Sequence, residues 1–199
     1  MTRWRRTSWC RGASAVMLVF VTFVLAGVRQ TAFALERIPL AEGWRFFRPA
    51  GFTGGEHDFM YDRMSAWLDG KGPAREPGRT HQFVQPSFDD RSWREVRVPH
   101  DWGVERGFDP MLNGIHEANL DMTGIGWYRK KFRVGIPKGG KVYFACDGAA
   151  SFAMVWINGH FVGGWPYQYT SWRVDLTPHL VRDGENELAI RTEQYPEIN

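Results

Sequence analysis

The most constraining feature of this sequence is a succession of short strand-like segments separated by turn residues. Segment 127–134 places Tyr128, Phe132 and Val134 on one face and three basic residues on the other, as in a strand that buries one face. Segment 152–157 is apolar on both faces, which is typical of a central strand. Further strands are predicted at segments 40–47, 94–98, 141–147, 160–162, 172–176 and 187–191.

The dipeptide Asn158-Gly159 gives the strongest local signal of how two of these strands connect. It favours a type I′ hairpin turn, because that turn requires positive φ at both central residues. Two intervals break the strand pattern. Interval 48–85 is punctuated by glycine and proline, with one or two helical turns predicted at 58–68, and interval 103–123 is predicted to be irregular.

About seven short strands without a long helix indicate an all-β fold, namely a β-sandwich. A Greek-key jelly roll is the usual way to close such a set of strands. Residues 35–199 are numerous enough for one domain with a single hydrophobic core.

The first 34 residues are interpreted as a secretory signal peptide. A basic start with Arg3, Arg5 and Arg6 precedes an apolar run at 13–28, and Ala32-Phe33-Ala34 supplies a cleavage site. The run is short for a spanning helix, which needs roughly 20 apolar residues. An uncleaved membrane anchor is therefore the less favoured alternative. We expect a mature domain at residues 35–199 that is secreted or periplasmic.

Removal of the leader changes the charge and cysteine content of the chain. It takes away five arginines and no acidic residue, so the formal net charge falls from +3 to −2. The remaining sequence has no dense stripe of Lys and Arg, and nucleic acid is not an expected partner. A membrane is expected as a partner only through an uncleaved leader. Cys146 is then the single cysteine, so stability must come from core packing rather than from a disulfide.

Several short motifs along residues 88–195 occur in an order and spacing that resemble one known domain. These motifs are Phe88-Asp89-Asp90, Val98-Pro99-His100-Asp101-Trp102, Gly126-Trp127-Tyr128-Arg129-Lys130, Val155-Trp156-Ile157-Asn158-Gly159-His160, Asp175-Leu176-Thr177 and Gly184-Glu185-Asn186-Glu187-Leu188-Ala189-Ile190-Arg191. Together they resemble the N-terminal sugar-binding domain of glycoside hydrolase family 2, with the β-galactosidase-like members as the closest likeness. The resemblance covers roughly residues 38–195.

This resemblance implies a galactose-binding-like jelly roll that assists hydrolysis of terminal β-glycosides by double displacement. In the family, the two catalytic glutamates lie in a (β/α)8 barrel, which takes roughly 250 residues. The chain is expected to be truncated before that barrel, to lack the last strand of the sandwich, and to be inactive alone. Interval 48–85 is longer than is usual in the family and is interpreted as an enlarged loop insertion.

The resemblance also suggests which residues contact a sugar. His100, Asp101 and Trp102 form a polar cluster that would lend contacts at the rim of the sugar pocket. Asn113 lies in the following loop, which often faces the catalytic site in the family. The competing interpretation is structural, because an aspartate before a loop often accepts hydrogen bonds from backbone N–H groups.

No catalytic residue, metal site or cofactor is assigned. Asn186-Glu187 superficially resembles the acid/base pair of the family, but it lies in a motif that matches a strand of the sugar-binding domain. His116-Glu117 begins like a zinc-protease motif, but Leu120 stands where the second histidine is required.

Two alternatives to the leading function remain open. A free-standing carbohydrate-binding module would need exposed aromatic residues, and Trp165, Tyr167 and Tyr169 are the clustered candidates. A structural domain could instead dock a separately encoded catalytic chain. The expected partners are thus a β-glycoside and a catalytic barrel domain or chain, and the preferred sugar is left open.

Overall fold

The computed structural model describes residues 35–50, 69–70, 76–109, 120, 123–136, 139–149 and 151–194. The strands are β1 (Trp44–Phe47), β2 (Arg94–Val96), β3 (Gly124–Phe132), β4 (Tyr143–Cys146), β5 (Ala153–Ile157), β6 (His160–Trp165), β7 (Trp172–Asp175) and β8 (Asn186–Gln194). One α-helix, α1 (Trp102–Arg106), and 3-10 helices at Gln82–Val84 and Thr177–His179 complete the described elements. No helix in these ranges has the length and apolar character needed to cross a membrane.

The strands form two antiparallel sheets, and the all-β prediction is confirmed. The larger sheet has the order β2-β1-β3-β8-β5-β6, and the smaller sheet pairs β4 with β7. The longest pairing joins β3 to β8 along their whole lengths, from Gly124 opposite Gln194 to Phe132 opposite Asn186. Side chains between the two sheets form the inner core, which includes Trp44, Val155 and Leu188.

A second apolar cluster lies on the outer face of the larger sheet. Trp127 and Trp156 are its largest members, and both are fully buried. Residues 76–93 contribute to its cover, since Val84 is 1% exposed and Trp156 Nε1 donates to the carbonyl oxygen of Pro77 over 2.8 Å. This part of interval 48–85 therefore packs against the sheet. The helical turns predicted at 58–68 lie outside the described residues.

The hairpin prediction at Asn158-Gly159 is confirmed. The two residues have φ values of 51° and 84° and connect β5 to β6. The Asn158 side chain also donates through Nδ2 to the carbonyl oxygen of His179 and to Asn186 Oδ1, each over 2.8 Å. Its Oδ1 accepts from the backbone N–H of Glu187 over 2.9 Å. The turn is therefore joined to β8 as well as to its own strands.

One prediction about local structure is wrong. The sequence predicts an irregular interval at 103–123, yet its first residues belong to α1. The helix begins because Asp101 accepts hydrogen bonds from the otherwise unpaired N–H groups of Gly103 and Val104. It ends at Gly107, whose φ of 79° is outside the helical region and favours glycine.

Candidate functional site

A cavity of about 590 Å³ lies between the two sheets and is partly open to solvent. The larger sheet contributes wall residues from β1, β3 and β8, and the smaller sheet contributes Phe144–Cys146 and Trp172. The segments 39–41, 98–102 and 147–149 complete the lining. Residues with polar side-chain groups among the lining include Tyr128, Cys146, Trp172 and Thr192. The rest of the wall is mostly aromatic and aliphatic.

Three of the four predicted sugar-binding residues line this cavity. His100, Asp101 and Trp102 are contiguous in its wall, where the loop after β2 ends and α1 begins at Trp102. The fourth, Asn113, lies outside the described residues. The structure thus brings the first three together with groups from β3, β4, β7 and β8.

The His100 side chain is 4% exposed and is held at both ring nitrogens. Its Nδ1 lies 2.8 Å from the hydroxyl oxygen of Tyr128, and its Nε2 lies 3.1 Å from Glu105 Oε2. Arg94 Nη2 also lies 3.1 Å from Nε2, so this ring nitrogen faces both a guanidinium donor and a carboxylate acceptor. Arg94 also pairs with Glu105, with Nη2 2.5 Å from Oε2.

The charges around His100 support this arrangement. The hydrogen bond from Arg94 lowers the pKa of Glu105, so the carboxylate is ionised and accepts. Burial raises the pKa of Tyr128 and keeps its hydroxyl protonated as a donor. The histidine ring therefore fixes the loop that precedes α1 against β3, and its ring nitrogens are both occupied.

Asp101 has one oxygen in a structural role. Its Oδ1 accepts from the N–H groups of Gly103 and Val104 over 2.8 and 3.0 Å. Within the described ranges no donor contacts Oδ2, and the residue is exposed. The helix cap and a sugar contact can therefore coexist on this one carboxylate, the first through Oδ1 and the second through Oδ2.

Trp102 is packed into the protein and is 7% exposed. Its ring stacks on Phe46, with centroids 5.9 Å apart and planes 17° apart, and Arg48 lies over the same ring. The ring also approaches Gly126 of β3 so closely that an added Cβ there would lie 2.5 Å from Trp102 Cζ3. Core contacts therefore set the position of this wall of the cavity.

Sequence reasoning missed two further polar groups in the cavity wall. Trp172 and Thr192 are 9% and 5% exposed, and neither Trp172 Nε1 nor Thr192 Oγ1 has a hydrogen-bond partner among the residues that the structure describes. Buried polar atoms without partners are rare in folded proteins and call for an explanation. A sequence signal for Thr192 does exist. It follows Leu188 and Ile190 at intervals of two residues, and alternate residues of a strand lie on the same face, here the inner face of β8.

Cys146 lines the same cavity, and its Sγ contacts the carbonyl oxygen of Gly148 over 3.2 Å. Burial raises the pKa of the thiol. The protonated thiol is a weak nucleophile at neutral pH. The cavity therefore provides apolar surface and hydrogen-bonding groups, which suit binding.

Glu187 lies on the opposite face of β8 from the cavity, and its carboxylate pairs with Arg129. Arg129 is fully buried and also pairs with Asp90, with Nε 3.0 Å from Oδ2. This ion-pair group joins β3, β8 and the segment before β2. The location agrees with the prediction that Glu187 belongs to a strand of the sandwich.

Comparison with known proteins gives a consistent set of similarities. The family model for the galactose-binding-like domain of glycosyl hydrolase 2 matches residues 106–198. A beta-galactosidase of Bacteroides ovatus is 38% identical over 119 residues, which are 59% of this chain and 14% of that protein. A beta-glucuronidase of Formosa agariphila is 31% identical over 107 residues, which are 53% of this chain and 11% of that protein.

A similar solved structure is that of a beta-glycosidase from Bacteroides vulgatus. It has a TM-score of 0.56 and 29% identity, and the match covers 78% of this chain and 17% of that chain. The chain therefore spans less than a fifth of the length of each of these three proteins. The two curated relatives are named for different sugars.

Proposed function

From the fact that this chain carries a galactose-binding-like domain of glycoside hydrolase family 2, we propose that it binds a terminal β-linked sugar for a glycosidase. The binding site is the cavity between the two sheets. Hydrolysis itself belongs to a catalytic barrel with two carboxylates about 5–5.5 Å apart, the spacing that retention of configuration requires. The barrel is either a further domain or a separate chain.

The observation that carries this proposal is that two residues lining a largely aromatic and aliphatic cavity each hold a polar atom without a partner among the described residues. A pyranose ring offers C–H faces that pack on aromatic walls. Its hydroxyl groups can pair with Trp172 Nε1 and Thr192 Oγ1 when a small side-chain movement exposes these two buried atoms to the cavity. Asp101 Oδ2 supplies an acceptor at the edge of the same cavity. The volume is within the range of about 300–1,000 Å³ that small-ligand sites occupy.

The proposed cellular location follows from the leader. Residues 1–34 have the three regions of a signal peptide, and we infer that they direct the domain out of the cytoplasm. Determination of the N-terminal residue of the secreted protein tests this directly. A mature chain that begins at Leu35 is the expected result, whereas retention of Met1 in the exported protein contradicts cleavage.

Two substitutions that each remove one polar group test the binding site. Trp172→Phe removes the indole N–H and Thr192→Val removes the hydroxyl, and each should weaken binding of methyl β-D-galactopyranoside by about fivefold to tenfold. Thr192→Val should leave the free protein equally stable or more stable, because it removes a buried polar atom that lacks a partner. Trp172→Phe also removes buried ring surface, so it should lower the free energy of unfolding. Isothermal titration and urea unfolding measure the two effects.

The control is Trp93→Phe, the same change at a buried tryptophan on the outer face of the sheet. It should leave sugar binding unchanged. Comparison of the galactoside with the corresponding glucuronide identifies the preferred sugar. The proposal fails if neither glycoside binds, or if Trp172→Phe and Thr192→Val bind both glycosides as tightly as the unaltered chain does.

A second candidate function is favoured by the smaller sheet. In the described part of the chain, β4 pairs only with β7, so one edge of β4 presents unpaired backbone groups beside the cavity. A catalytic chain could dock there by adding a strand. Ala145→Lys would place a charge on this exposed strand and should block such docking. Co-purification of a partner that survives this change contradicts edge docking.

A further inference from the structure

Three exposed aromatic residues in and after β6 form what we call the aromatic surface. Trp165, Tyr167 and Tyr169 are 40%, 54% and 64% exposed. They alternate with Pro166 and Gln168, so three large rings lie within five consecutive positions. Single exposed apolar residues are ordinary, but clustered exposed aromatic rings are typical of interaction sites.

The aromatic surface lies on a loop that is held at several points. The Trp165 ring is fixed by a hydrogen bond from Nε1 to Thr170 Oγ1 over 2.8 Å. Backbone N–H of Phe152 donates to the carbonyl oxygen of Pro166 over 3.1 Å. Ser171 Oγ donates to the carbonyl oxygen of Asp147 over 3.4 Å. Rings that are positioned before binding lose little conformational freedom when a ligand arrives.

The chemistry of the loop favours an uncharged polar ligand. Segment 165–171 contains no acidic or basic residue, and between its aromatic rings it carries amide and hydroxyl groups. Glycans present C–H faces for aromatic rings together with many hydroxyl groups for such polar neighbours. A charged polymer would find no counter-charge within the loop.

The orientation of the rings further restricts the kind of glycan that can bind. Tyr167 and Tyr169 have centroids 5.6 Å apart with planes 72° apart, so the two rings are nearly perpendicular. Rings in this arrangement cannot both lie flat on a planar polysaccharide surface. They suit separate sugar units of a single, flexible chain.

We propose that the aromatic surface is a second carbohydrate site, which binds a neutral, soluble β-linked glycan chain. It is distinct from the cavity, since none of its three rings lines that space. The two sites are close, because the loop contacts residues 147–149 at the cavity wall through Ser171 and through Gln168, whose carbonyl oxygen lies 3.1 Å from a Cβ built on Gly148. The domain would thus hold a polymer near the site that receives its terminal sugar.

Affinity electrophoresis of the purified chain in gels that contain soluble polysaccharides tests the proposal. The polymers are β-galactan, β-mannan and mixed-linkage β-glucan as neutral ligands, and polygalacturonate as an acidic one. At least one neutral polymer should retard the chain, and polygalacturonate should not. The double variant Tyr167→Ala/Tyr169→Ala should lose about tenfold or more in affinity, since two stacking rings are removed.

Two matched variants separate this site from the cavity. Tyr143→Ala, at another exposed tyrosine on β4, should bind the polymer as the unaltered chain does. Trp172→Phe should weaken monosaccharide binding by about fivefold to tenfold while the polymer is still retarded, so the two sites can be impaired independently. The proposal is overturned if no neutral polymer retards the chain, or if the double variant is retarded equally. It is also overturned if the tyrosines instead hold together a dimer that the double variant dissociates.

Discussion

The hydroxyl oxygen of Tyr128 lies 2.8 Å from Nδ1 of His100, and this contact ties the loop before α1 to the centre of β3. The loop carries His100 and Asp101 of the predicted sugar-binding residues, and Trp102 follows as the first residue of α1. The opposite nitrogen of the His100 ring contacts Glu105 near the end of α1, so one histidine fixes both ends of the segment. The wall of the cavity is thereby set by a buried polar contact as well as by apolar packing.

Tyr128→Phe should destabilise the domain by about 1–3 kcal/mol, because it leaves the buried Nδ1 of His100 without its hydrogen-bond partner. Urea unfolding followed by tryptophan fluorescence measures the change. The control is Tyr167→Phe, at an exposed tyrosine, which should alter the free energy of unfolding by less than about 0.5 kcal/mol. Equal effects of the two substitutions would show that the contact contributes nothing to stability.

Gly126→Ala should destabilise the domain by about 1–3 kcal/mol through overpacking. Its Cβ would lie 2.5 Å from Trp102 Cζ3, and movement of that ring is opposed by its packing against Phe46. Gly135→Ala is the control, since an added Cβ there meets no atom within 4 Å. In a double-mutant cycle, adding Trp102→Leu should restore part of the free energy of unfolding that Gly126→Ala loses. Strictly additive losses in that cycle would contradict the steric explanation.

The stability of the domain should depend on pH through Glu187. Burial, opposed by Arg129, raises the pKa of this carboxyl from 4.5 to about 7. Between these values the folded state binds more protons than the unfolded state. The contribution of this group to stability is therefore fully present below about pH 4.5 and is lost as the pH rises towards 7, with a slope of at most about 1.4 kcal/mol per pH unit.

The comparison of the unaltered chain with Glu187→Gln isolates this dependence, because other titrating groups cancel in the difference. Urea unfolding at several values between about pH 4.5 and 7.5 gives the difference in free energy. As the pH rises, the free energy of unfolding of Glu187→Gln should increase relative to that of the unaltered chain. If the unaltered chain instead gains stability relative to the variant as the pH rises, the pairing of Glu187 with Arg129 outweighs the cost of burying the charge.

Asn158→Ala should cost about 2–4 kcal/mol, because it removes the side-chain hydrogen bonds to His179, Asn186 and Glu187 and leaves alanine at positive φ. Asn158→Gly keeps the backbone conformation accessible and loses only the hydrogen bonds. It should therefore be less destabilising than Asn158→Ala by about 1 kcal/mol. Equal unfolding midpoints for the two variants would exclude a contribution from the backbone.

The strands could be predicted from sequence because each buries a regular set of side chains. β3 and β5 show this most clearly, since their patterns of alternating and continuous apolar residues are local properties. Helix α1 was missed because a five-residue helix has no periodicity of its own and depends on the cap from Asp101. The contact between His100 and Glu105 likewise has no signature in the spacing of the residues.

The cavity could be predicted only in part. The motif at 98–102 pointed to one wall, because it resembled a known sugar-binding segment. Trp172 and Thr192 were not identified, because their special feature is the lack of a hydrogen-bond partner within the described part of the chain. That feature arises from how β7 and β8 are placed across the sandwich, which no local pattern of residues encodes.

The most direct test of sugar binding between the two sheets is a nuclear magnetic resonance titration that follows the indole N–H groups. The Trp172 signal is assigned by its disappearance in Trp172→Phe, and Trp93 and Trp165 are assigned in the same way. Addition of methyl β-D-galactopyranoside should shift the Trp172 signal in a saturable manner and leave that of Trp93 in place, since only the first lies in the cavity. A Trp172 signal that stays unchanged, while the sugar shifts only Trp165 or no indole at all, would contradict a sugar site in this cavity.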